Sequence, residues 1–426
     1  MATYLNRTPS GASNRKTWTY STWVKRSKLG AGSCFFQCGA GTVEFGAYFM
    51  ANDTLEVYEY DSGSFRFQYK TDQVFRDPSA WYHIVIACDT TQGSAGDRVK
   101  IYLNGSQITS FSTATNPSQD QNTSVNSTLP NVIGAFHALS SGFYLGYMSQ
   151  TILVDGTALT PSTFGSTNAN GIWVPNTGPS VTYGTNGFKL DFAGTGTTAD
   201  ASGFGADSSG NGNHFTANSL GTNPSTTDTT QNNFSTFNPL IERPGEGFAT
   251  FTEGNLKASG TSKMAFSSIA LPSSGKWYAE FKANAGSSTA SVGLRDIDDY
   301  TADGNSNRLY YRNDGQKDTG SGASSYGSSW TTGDVLSIAC NVDSSQVTFY
   351  KNGTAQDSGT AISQNCANQY LMVATAGGWT FQANFGNPTF AIASSNADAN
   401  GEGSFEYAVP STYYALCTNN LALYGG

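Results

Sequence analysis

An acidic and aromatic segment in the second half of the chain is the most concentrated set of residues able to bind a ligand. Four aspartates fall within residues 296–303 of a chain in which only 12% of residues are charged. Carboxylates accept hydrogen bonds from sugar hydroxyls, and tyrosine rings offer contact area at low entropic cost. The competing interpretation is an ordinary solvated loop, with arginines offsetting the aspartates. The predicted ligand-binding residues are Asp296, Asp298, Asp299, Tyr300, Arg308, Tyr310 and Tyr311.

A second segment has the oxygen-bearing side chains of a weak calcium candidate. Asp207, Ser209 and Asn211 alternate beside glycine, as at the start of a calcium-binding loop. The acidic residue expected near the end of such a loop is missing, since position 218 is Asn. Stabilisation of a turn by the Asp and Asn side chains is the favoured interpretation. We therefore predict no cofactor, with calcium at these three residues as the alternative.

The residues needed for catalysis do not form a recognisable pattern. Glycosidases need two facing carboxylates, but the run Glu56-Val57-Tyr58-Glu59-Tyr60-Asp61 lacks the alternating Glu-x-Asp-x-Glu spacing. We interpret it as an edge strand with solvated carboxylates. His83, His137 and His214 do not lie near Ser or Cys in a nucleophile-elbow context. We predict that the protein is not an enzyme and has no catalytic residues, and a polysaccharide-cleaving enzyme remains the alternative.

Composition narrows the choice of partners. A net charge of -9 and a pI near 4.8 are opposite to what nucleic-acid binding requires. No stretch approaches the roughly 18 apolar residues of a membrane-spanning helix, and the start lacks the features of a signal peptide. The six cysteines are scattered and are expected to be buried free thiols, and the spacing of Cys34 and Cys38 argues against zinc. We predict no nucleic acid, no membrane insertion and no export by the general secretory route.

The elements that carry these residues are predicted to be short β-strands. Alternating segments such as Thr17–Val24 and Val99–Leu103 are separated by turn residues throughout the chain. One unit occurs in each half, since WYHIVIACD precedes VKIYLNG and DVLSIAC precedes VTFYKNG. The Asn-Gly pair that ends each unit suits a type I′ hairpin turn. We predict an all-β fold of two antiparallel jelly-roll sandwiches, with Trp23 and Trp277 in their respective cores.

The domain organisation follows from where these patterns occur. Residues 1–175 and 247–426 are predicted to form the two sandwiches, the second with a C-terminal tail. Residues 176–246 contain one clear strand and then Gly-, Ser-, Thr- and Asn-rich sequence, so we interpret them as a connecting segment. Disorder is the competing interpretation, since loops beyond about 15 residues are uncommon in compact domains. The phenylalanines of the segment instead indicate that it packs partly on the sandwiches, either completing the first one or joining the two.

Two family resemblances accompany this pattern. The elements TWTYSTWVK, WYHIVIACD, VKIYLNG and ILVDGTAL occur in the order found in laminin G-like domains of the concanavalin A-like lectin superfamily, over residues 1–170. Residues 247–390 resemble a SPRY domain in GKWYAEF, SVGL, Trp330 with GDV, FYKNG and ANFG. This order of domains, with the intervening YGTNGFKLDF and QNNFSTFNPL, resembles virion structural proteins of tailed phages, notably marine ones.

The resemblance implies a protein located in the virion and assembled in the host cytoplasm. It implies a tail fibre, spike or capsid decoration that binds host-surface glycan weakly and gains avidity from symmetry. The expected partners are other virion proteins, further copies in a homo-oligomer, most simply a trimer, and a host cell-surface glycan. A purely architectural appendage without a ligand is the alternative within virions.

Overall fold

The computed structural model describes residues 3–169, 171–221, 224–242, 245–286, 288–296, 308–375 and 378–426. The chain folds into two compact units, Met1–Ser225 and Thr226–Gly426. Both are built from β-strands, which confirms the predicted all-β class.

The first unit places its strands in two main sheets. In the described residues the strands are Tyr4–Arg7 (β1), Thr17–Arg26 (β2), Ser33–Ala40 (β3), Val43–Phe49 (β4), Thr54–Asp61 (β5), Ser64–Val74 (β6), Trp81–Asp89 (β7), Val99–Leu103 (β8), Ser106–Gln107 (β9), Phe111–Thr115 (β10), Asn131–Ile133 (β11), Gly146–Asp155 (β12), Gly165–Thr167 (β13), Trp173–Pro175 (β14), Phe188–Leu190 (β15) and Thr216–Asn218 (β16). One sheet has the order β10-β6-β5-β4-β3-β11-β1-β16, the other has the order β15-β12-β2-β7-β8-β9, and β13 pairs with β14.

Alternation along β2 decides which side chains enter the first core. Trp18, Tyr20 and Val24 are buried in the main apolar cluster of this unit. Trp23 is also buried, but it lies on the other face of β2, where its ring stacks on His83 with a centroid distance of 4.7 Å. Positions 18 and 23 differ by an odd number, so a regular strand directs them to opposite faces. Trp23 is thus buried in the first unit, but it lies outside the main apolar cluster, where Trp18 is found instead.

The second unit repeats the two-sheet arrangement. Its described elements are Thr250–Thr252 (β17), Lys257–Ser259 (β18), Lys263–Phe266 (β19), Lys276–Ala285 (β20), Ser291–Asp296 (β21), Arg308–Arg312 (β22), Gln316–Asp318 (β23), Ala323–Ser325 (β24), Val335–Asn341 (β25), Gln346–Lys351 (β26), Thr354–Ala355 (β27), Ile362–Ser363 (β28), Gln369–Thr375 (β29), Thr380–Asn384 (β30), Tyr414–Ala415 (β31) and the helix Thr418–Tyr424 (α1). One sheet has the order β17-β18-β30-β20-β25-β26-β27, with β28 beside β26 and β31 beside β20, and the other has the order β19-β29-β21-β22-β23-β24.

The core of the second unit lies between these sheets and contains Trp277, as predicted. A smaller cluster covers the outer face of β20 and β25, where Tyr278 packs against Phe405 and Cys417 of the C-terminal tail. Among the described strand pairs, β31 with β20 is parallel and the others are antiparallel. The tail thus adds a layer to the outside of this sandwich.

The segment predicted to connect the sandwiches contributes to both units. Its strand β15 pairs with β12, and β16 pairs with β1, so residues up to 218 extend the two sheets of the first unit. Phe204 and Phe215 are buried in the first core, whereas Phe234 and Phe237 are buried in clusters of the second unit. The division between the units falls after Ser225.

The two Asn-Gly turns have the predicted geometry. Asn104 and Gly105 have φ values of 48° and 85°, and Asn352 and Gly353 have 48° and 76°. Positive φ at both central residues is the requirement of a type I′ turn, and the flanking strands pair as hairpins. All six cysteines are free and buried, as expected. No helix in the described ranges is long and apolar enough to cross a membrane.

Candidate functional site

The predicted acidic and aromatic site is only partly described. Asp298, Asp299 and Tyr300 lie outside the described residues. Asp296 ends β21, and Arg308 begins the neighbouring strand β22.

The tyrosines of the predicted site lie at two different depths. Tyr311 is fully buried in the core between the sheets, so its ring is not available to stack on a sugar. Tyr310 points to the opposite face, is 7% exposed, and accepts a 2.7 Å hydrogen bond from Arg295. Arg308 lies over the Tyr310 ring and bridges to Asp318 at 3.0 Å. The structure therefore brings Arg308 and Tyr310 together on one face and separates Tyr311 from them.

The weak calcium candidate is a turn held by one buried carboxylate. Asp207 accepts hydrogen bonds from the backbone N–H groups of Lys189, Ser209 and Asn213 and from the Ser209 hydroxyl, at 2.8 to 2.9 Å. The Asn211 amide instead donates to the carbonyls of Gly184 and Gly187. The three side chains thus do not converge on one point. In the described ranges, no group of three His, Cys, Asp or Glu is placed to hold a metal ion.

A denser set of aromatic and acidic side chains lies on the outer face of the larger sheet of the first unit. Along β4 and β5 one set of alternate residues, including Phe45, Ala47 and Val57, enters the core. The residues between them point outward, because successive side chains of a strand lie on opposite faces. We call the outward set the tyrosine–glutamate face: Gln37, Glu44, Tyr48, Glu56, Tyr58, Tyr60, Phe65, Gln68, Lys70, Phe136 and His137.

Two local features of the strands shape this face. The pairing of β5 with β6 shifts at Arg66, so Phe65 lies opposite Tyr60 on the outer side although Phe67 enters the core. Gly46 faces Tyr58 across β4 and β5, and a Cβ at Gly46 would lie 2.4 Å from Cε1 of that ring. The bulge and the glycine therefore make room for adjacent rings on the outer surface.

The aromatic rings form a continuous strip across the strands. Phe136 and Tyr48 have centroids 5.3 Å apart, Tyr48 and Tyr58 6.0 Å, Tyr58 and Phe65 5.8 Å, and Phe65 and Tyr60 5.2 Å. Each contact is edge-to-face, with interplanar angles from 68° to 84°. This is a favourable arrangement for aromatic pairs, so the rings hold one another in place. Phe65 is 46% exposed at the outer end of the strip.

Glu44 is held at one side of the strip. It accepts hydrogen bonds from the Tyr58 hydroxyl at 2.7 Å and from the Gln37 amide at 3.0 Å. His137 Nδ1 lies 2.8 Å from Glu44 Oε2, the oxygen that also accepts from Gln37. Burial, together with the hydrogen bond to Glu44, raises the pKa of Tyr58 far above its usual range. The Tyr58 hydroxyl therefore stays protonated and donates to Glu44.

Glu56 is held in the same way on the other side. It accepts hydrogen bonds from the Tyr48 hydroxyl and from the Gln68 amide, the latter at 2.6 Å. Lys70 Nζ lies 3.7 Å from Glu56 Oε1. Burial and the hydrogen bond to Glu56 raise the pKa of Tyr48 above its usual range. Both carboxylates are thus oriented before any ligand arrives.

The interpretation of residues 56–61 as a solvated edge strand was wrong. Strand β5 lies between β4 and β6 inside the sheet, and Glu56 and Glu59 are both almost fully buried. Glu59 points inward and accepts hydrogen bonds from the backbone and hydroxyl of Ser124. Glu44 is opposite Tyr60, and Glu56 is opposite Tyr48. The two outward glutamates are therefore four residues apart along the strands, roughly 13 Å between their backbones.

Comparison with known proteins agrees with this fold. Residues 3–164 match the family model described as the concanavalin A-like lectin/glucanases superfamily, Laminin_G_3. This part of the first unit is therefore similar to laminin G-like, concanavalin A-like domains, as the strand pattern predicted. No curated protein sequence matches the chain.

Several solved structures are similar at low identity. The SPRY domain of human HERC1 has a TM-score of 0.30 and 17% identity, over 34% of this chain and 96% of that chain. The SAP-like pentraxin from Limulus polyphemus has a TM-score of 0.29 and 17% identity, over 42% of this chain and 87% of that chain. A putative carbohydrate binding protein from Bacteroides ovatus has a TM-score of 0.33 and 17% identity, over 51% of this chain and 56% of that chain.

Sequence reasoning missed the tyrosine–glutamate face, although part of its signal is in the sequence. Glu56, Tyr58 and Tyr60 alternate along one strand, as do Glu44, Gly46 and Tyr48 along the strand before it. Two neighbouring strands with acidic and aromatic residues at alternate positions indicate a polar, aromatic sheet face. The contribution of Phe65 depends on the bulge, which the alternation pattern does not reveal.

Proposed function

We propose that this protein is a carbohydrate-binding structural protein whose first unit attaches to surface glycan through the tyrosine–glutamate face. One observation carries the proposal: a partly exposed strip of edge-to-face rings lies between two carboxylates that neighbouring side chains hold in fixed orientations. Tyrosine rings supply contact area while losing little side-chain entropy, and fixed carboxylates orient a ligand without further ordering.

The spacing of the strip supports a polymeric ligand. Neighbouring strands of a sheet lie about 4.8 Å apart, and the rings cross β4, β5 and β6. Successive sugar residues of a chain laid across the strands can therefore each meet a ring. The affinity of one such open face is expected to be weak, because shallow sites bury little of a ligand.

The more specific role that we propose is attachment of a tailed-phage virion to its host. The order of a laminin G-like domain, a connecting segment with YGTNGFKLDF and QNNFSTFNPL, and a SPRY-like domain supports this role by resemblance. A fibre, spike or decoration present in several copies, for example as a trimer, converts weak sites into firm attachment through avidity. Mass spectrometry of purified virions whose genome encodes this chain should then detect the protein. Its absence from every virion fraction would refute the virion role.

Binding rather than hydrolysis is the function that the glutamates favour. Glycosidases place their two carboxyl groups about 5 to 9.5 Å apart on either side of the scissile bond. The Glu44 and Glu56 carboxylates instead each accept a hydrogen bond from the tyrosine hydroxyl beside them. We therefore expect a bound polysaccharide to keep its length during prolonged incubation, as measured by reducing ends and size-exclusion chromatography.

The test of carbohydrate binding is a pair of matched substitutions. Phe65→Ala removes a 46% exposed ring from the face, and Phe248→Ala removes a 51% exposed ring from the second unit. On immobilised polysaccharides we expect Phe65→Ala to weaken binding about tenfold, in the range of one aromatic contact. Phe248→Ala should bind like the wild type. Equal binding by all three proteins, with unchanged folding by circular dichroism, would refute the assignment of the face.

A further inference from the structure

We propose that the tyrosine–glutamate face selects uncharged polysaccharides and discriminates against chains that carry carboxylate or sulfate groups. This inference rests on the carbohydrate-binding function proposed above and specifies the class of ligand. It follows from two properties of the face, which are the hydrogen-bonding capacity that remains for a ligand and the distribution of charge.

The polar groups of the face offer mainly acceptors to a ligand. The Tyr48 and Tyr58 hydroxyls donate their hydrogens to Glu56 and Glu44, so neither can donate to a ligand. The Tyr58 oxygen also accepts a hydrogen bond from the Gln37 amide at 3.2 Å. A carboxylate has about four acceptor positions. The Tyr58 and Gln37 bonds and the His137 contact occupy three of those on Glu44, and the Tyr48 and Gln68 bonds occupy two of those on the almost fully buried Glu56. Such a surface complements sugar hydroxyls, which donate, and has little to offer to an anionic group, which only accepts.

The charges of the face act in the same direction. Glu44 and Glu56 are the acidic groups, and Lys70 and His137 each lie against one of them. Beyond the strip, Arg66 is engaged by Asp61 at 3.0 Å. Lys70 and Arg66 are thus each matched by a carboxylate, in a chain whose net charge is -9. An anionic substituent would therefore meet negative charge without a dedicated cationic partner.

The expected discrimination is moderate and depends on salt. Two like charges about 6 Å apart near a protein surface repel enough to weaken binding by about ten- to a hundredfold. Salt reduces this effect when the charges are exposed, since the Debye length is about 8 Å at physiological ionic strength. Binding of a neutral chain should hardly change with salt, whereas binding of a charged chain should improve as salt rises.

The experiment compares polysaccharides that share a backbone and differ in charge. The full-length protein is tested against dextran and dextran sulfate, and against a β-glucan and its carboxymethylated derivative, at low and physiological salt. We expect the neutral member of a pair to bind at least about tenfold more tightly than its anionic derivative. Glu44→Gln and Glu56→Gln, which remove one charge each, should narrow that ratio, and Glu253→Gln in the second unit should not.

Each outcome has a distinct meaning. Equal or tighter binding of the anionic derivatives would overturn the selectivity while leaving carbohydrate binding intact. An unchanged ratio in both glutamine variants, with folding verified by thermal unfolding, would also overturn it, because the glutamates would then not be its source. If no polysaccharide binds, including a broad glycan array, the proposed function itself fails and the selectivity fails with it.

Discussion

Raising the pH from 5 to 7.5 should destabilise the second unit, because it ionises Glu280 behind the C-terminal tail. This side chain is 0% exposed on β20. Its carboxylate accepts hydrogen bonds from the Tyr278 hydroxyl, the Asn384 amide and the backbone N–H groups of Glu406 and Tyr407. Burial raises the pKa of Glu280 to about 7, and the four donors offset only part of this effect.

The sign and size of the effect follow from proton linkage. Between the ordinary pKa of 4.5 and the folded value of about 7, the folded protein holds a proton that the unfolded chain has lost. The stabilisation is therefore complete below about pH 4.5 and disappears as the pH rises through 7. One pKa unit corresponds to about 1.4 kcal/mol, so the second unit should lose about 2 to 3 kcal/mol between pH 5 and 7.5.

The histidines make the second unit the better place for this measurement. His83, His137 and His214 all lie in the first unit. There, burial lowers the pKa of His83 to about 3, which adds stability as the pH rises through 6.5. Burial also raises the pKa of Glu59 to about 7, which removes stability over the same range. These two effects oppose each other, so the first unit should show the smaller pH dependence.

The assay is urea unfolding of the full chain, followed by pulsed hydrogen exchange and mass spectrometry. Peptides from β20 and β25 report on the second unit, and peptides from β2 and β7 report on the first. Every sample is labelled at one common pH after equilibration at its own pH. Glu280→Gln should abolish the pH dependence of the second unit's stability, and Glu253→Gln, at an exposed position, should preserve it. A wild-type stability that rises with pH in the second unit would refute the reasoning, because the hydrogen-bond donors would then outweigh burial.

Two further substitutions test the packing. Gly46→Ala places a Cβ 2.4 Å from the Tyr58 ring, so it should weaken polysaccharide binding about tenfold and cost about 1 to 3 kcal/mol of stability, as measured by binding and urea unfolding; unchanged binding would mean that the position of Tyr58 is unimportant. Trp277→Ala removes a fully buried ring and should cost about 3 to 5 kcal/mol, and wild-type thermal stability would contradict its place in the core.

The sequence predicted the sandwiches because the alternation of side chains is a local property of each strand. The Asn-Gly turns were predictable for the same reason, since two adjacent residues determine a type I′ turn. Parity within β2 also contains the information that Trp18 and Trp23 face opposite sides. Choosing the inner residue required knowing which face meets the other sheet, and that depends on contacts far away in the sequence.

The face was harder to predict because it depends on pairing between strands. Whether Glu56 lies on an edge strand depends on the neighbours of β5. Strand β6 pairs with β5 on the side away from β4, and that pairing contains a bulge. Residues 176–218 were likewise predicted to be a connection, because their strands are only three residues long and are recognisable only by their pairing. Strand β15 pairs with β12, and β16 pairs with β1. The predicted acidic loop rested on composition alone, and composition does not fix which tyrosines face solvent.

A crystal structure of the full chain with an oligosaccharide prepared from a neutral polysaccharide that it binds would test the central claim most directly. We predict sugar rings over Tyr48, Tyr60 and Phe65, with hydroxyls donating to Glu44. An oligosaccharide bound elsewhere, for example beside Asp296 and Arg308 of the second unit, with the tyrosine–glutamate face empty, would contradict the account.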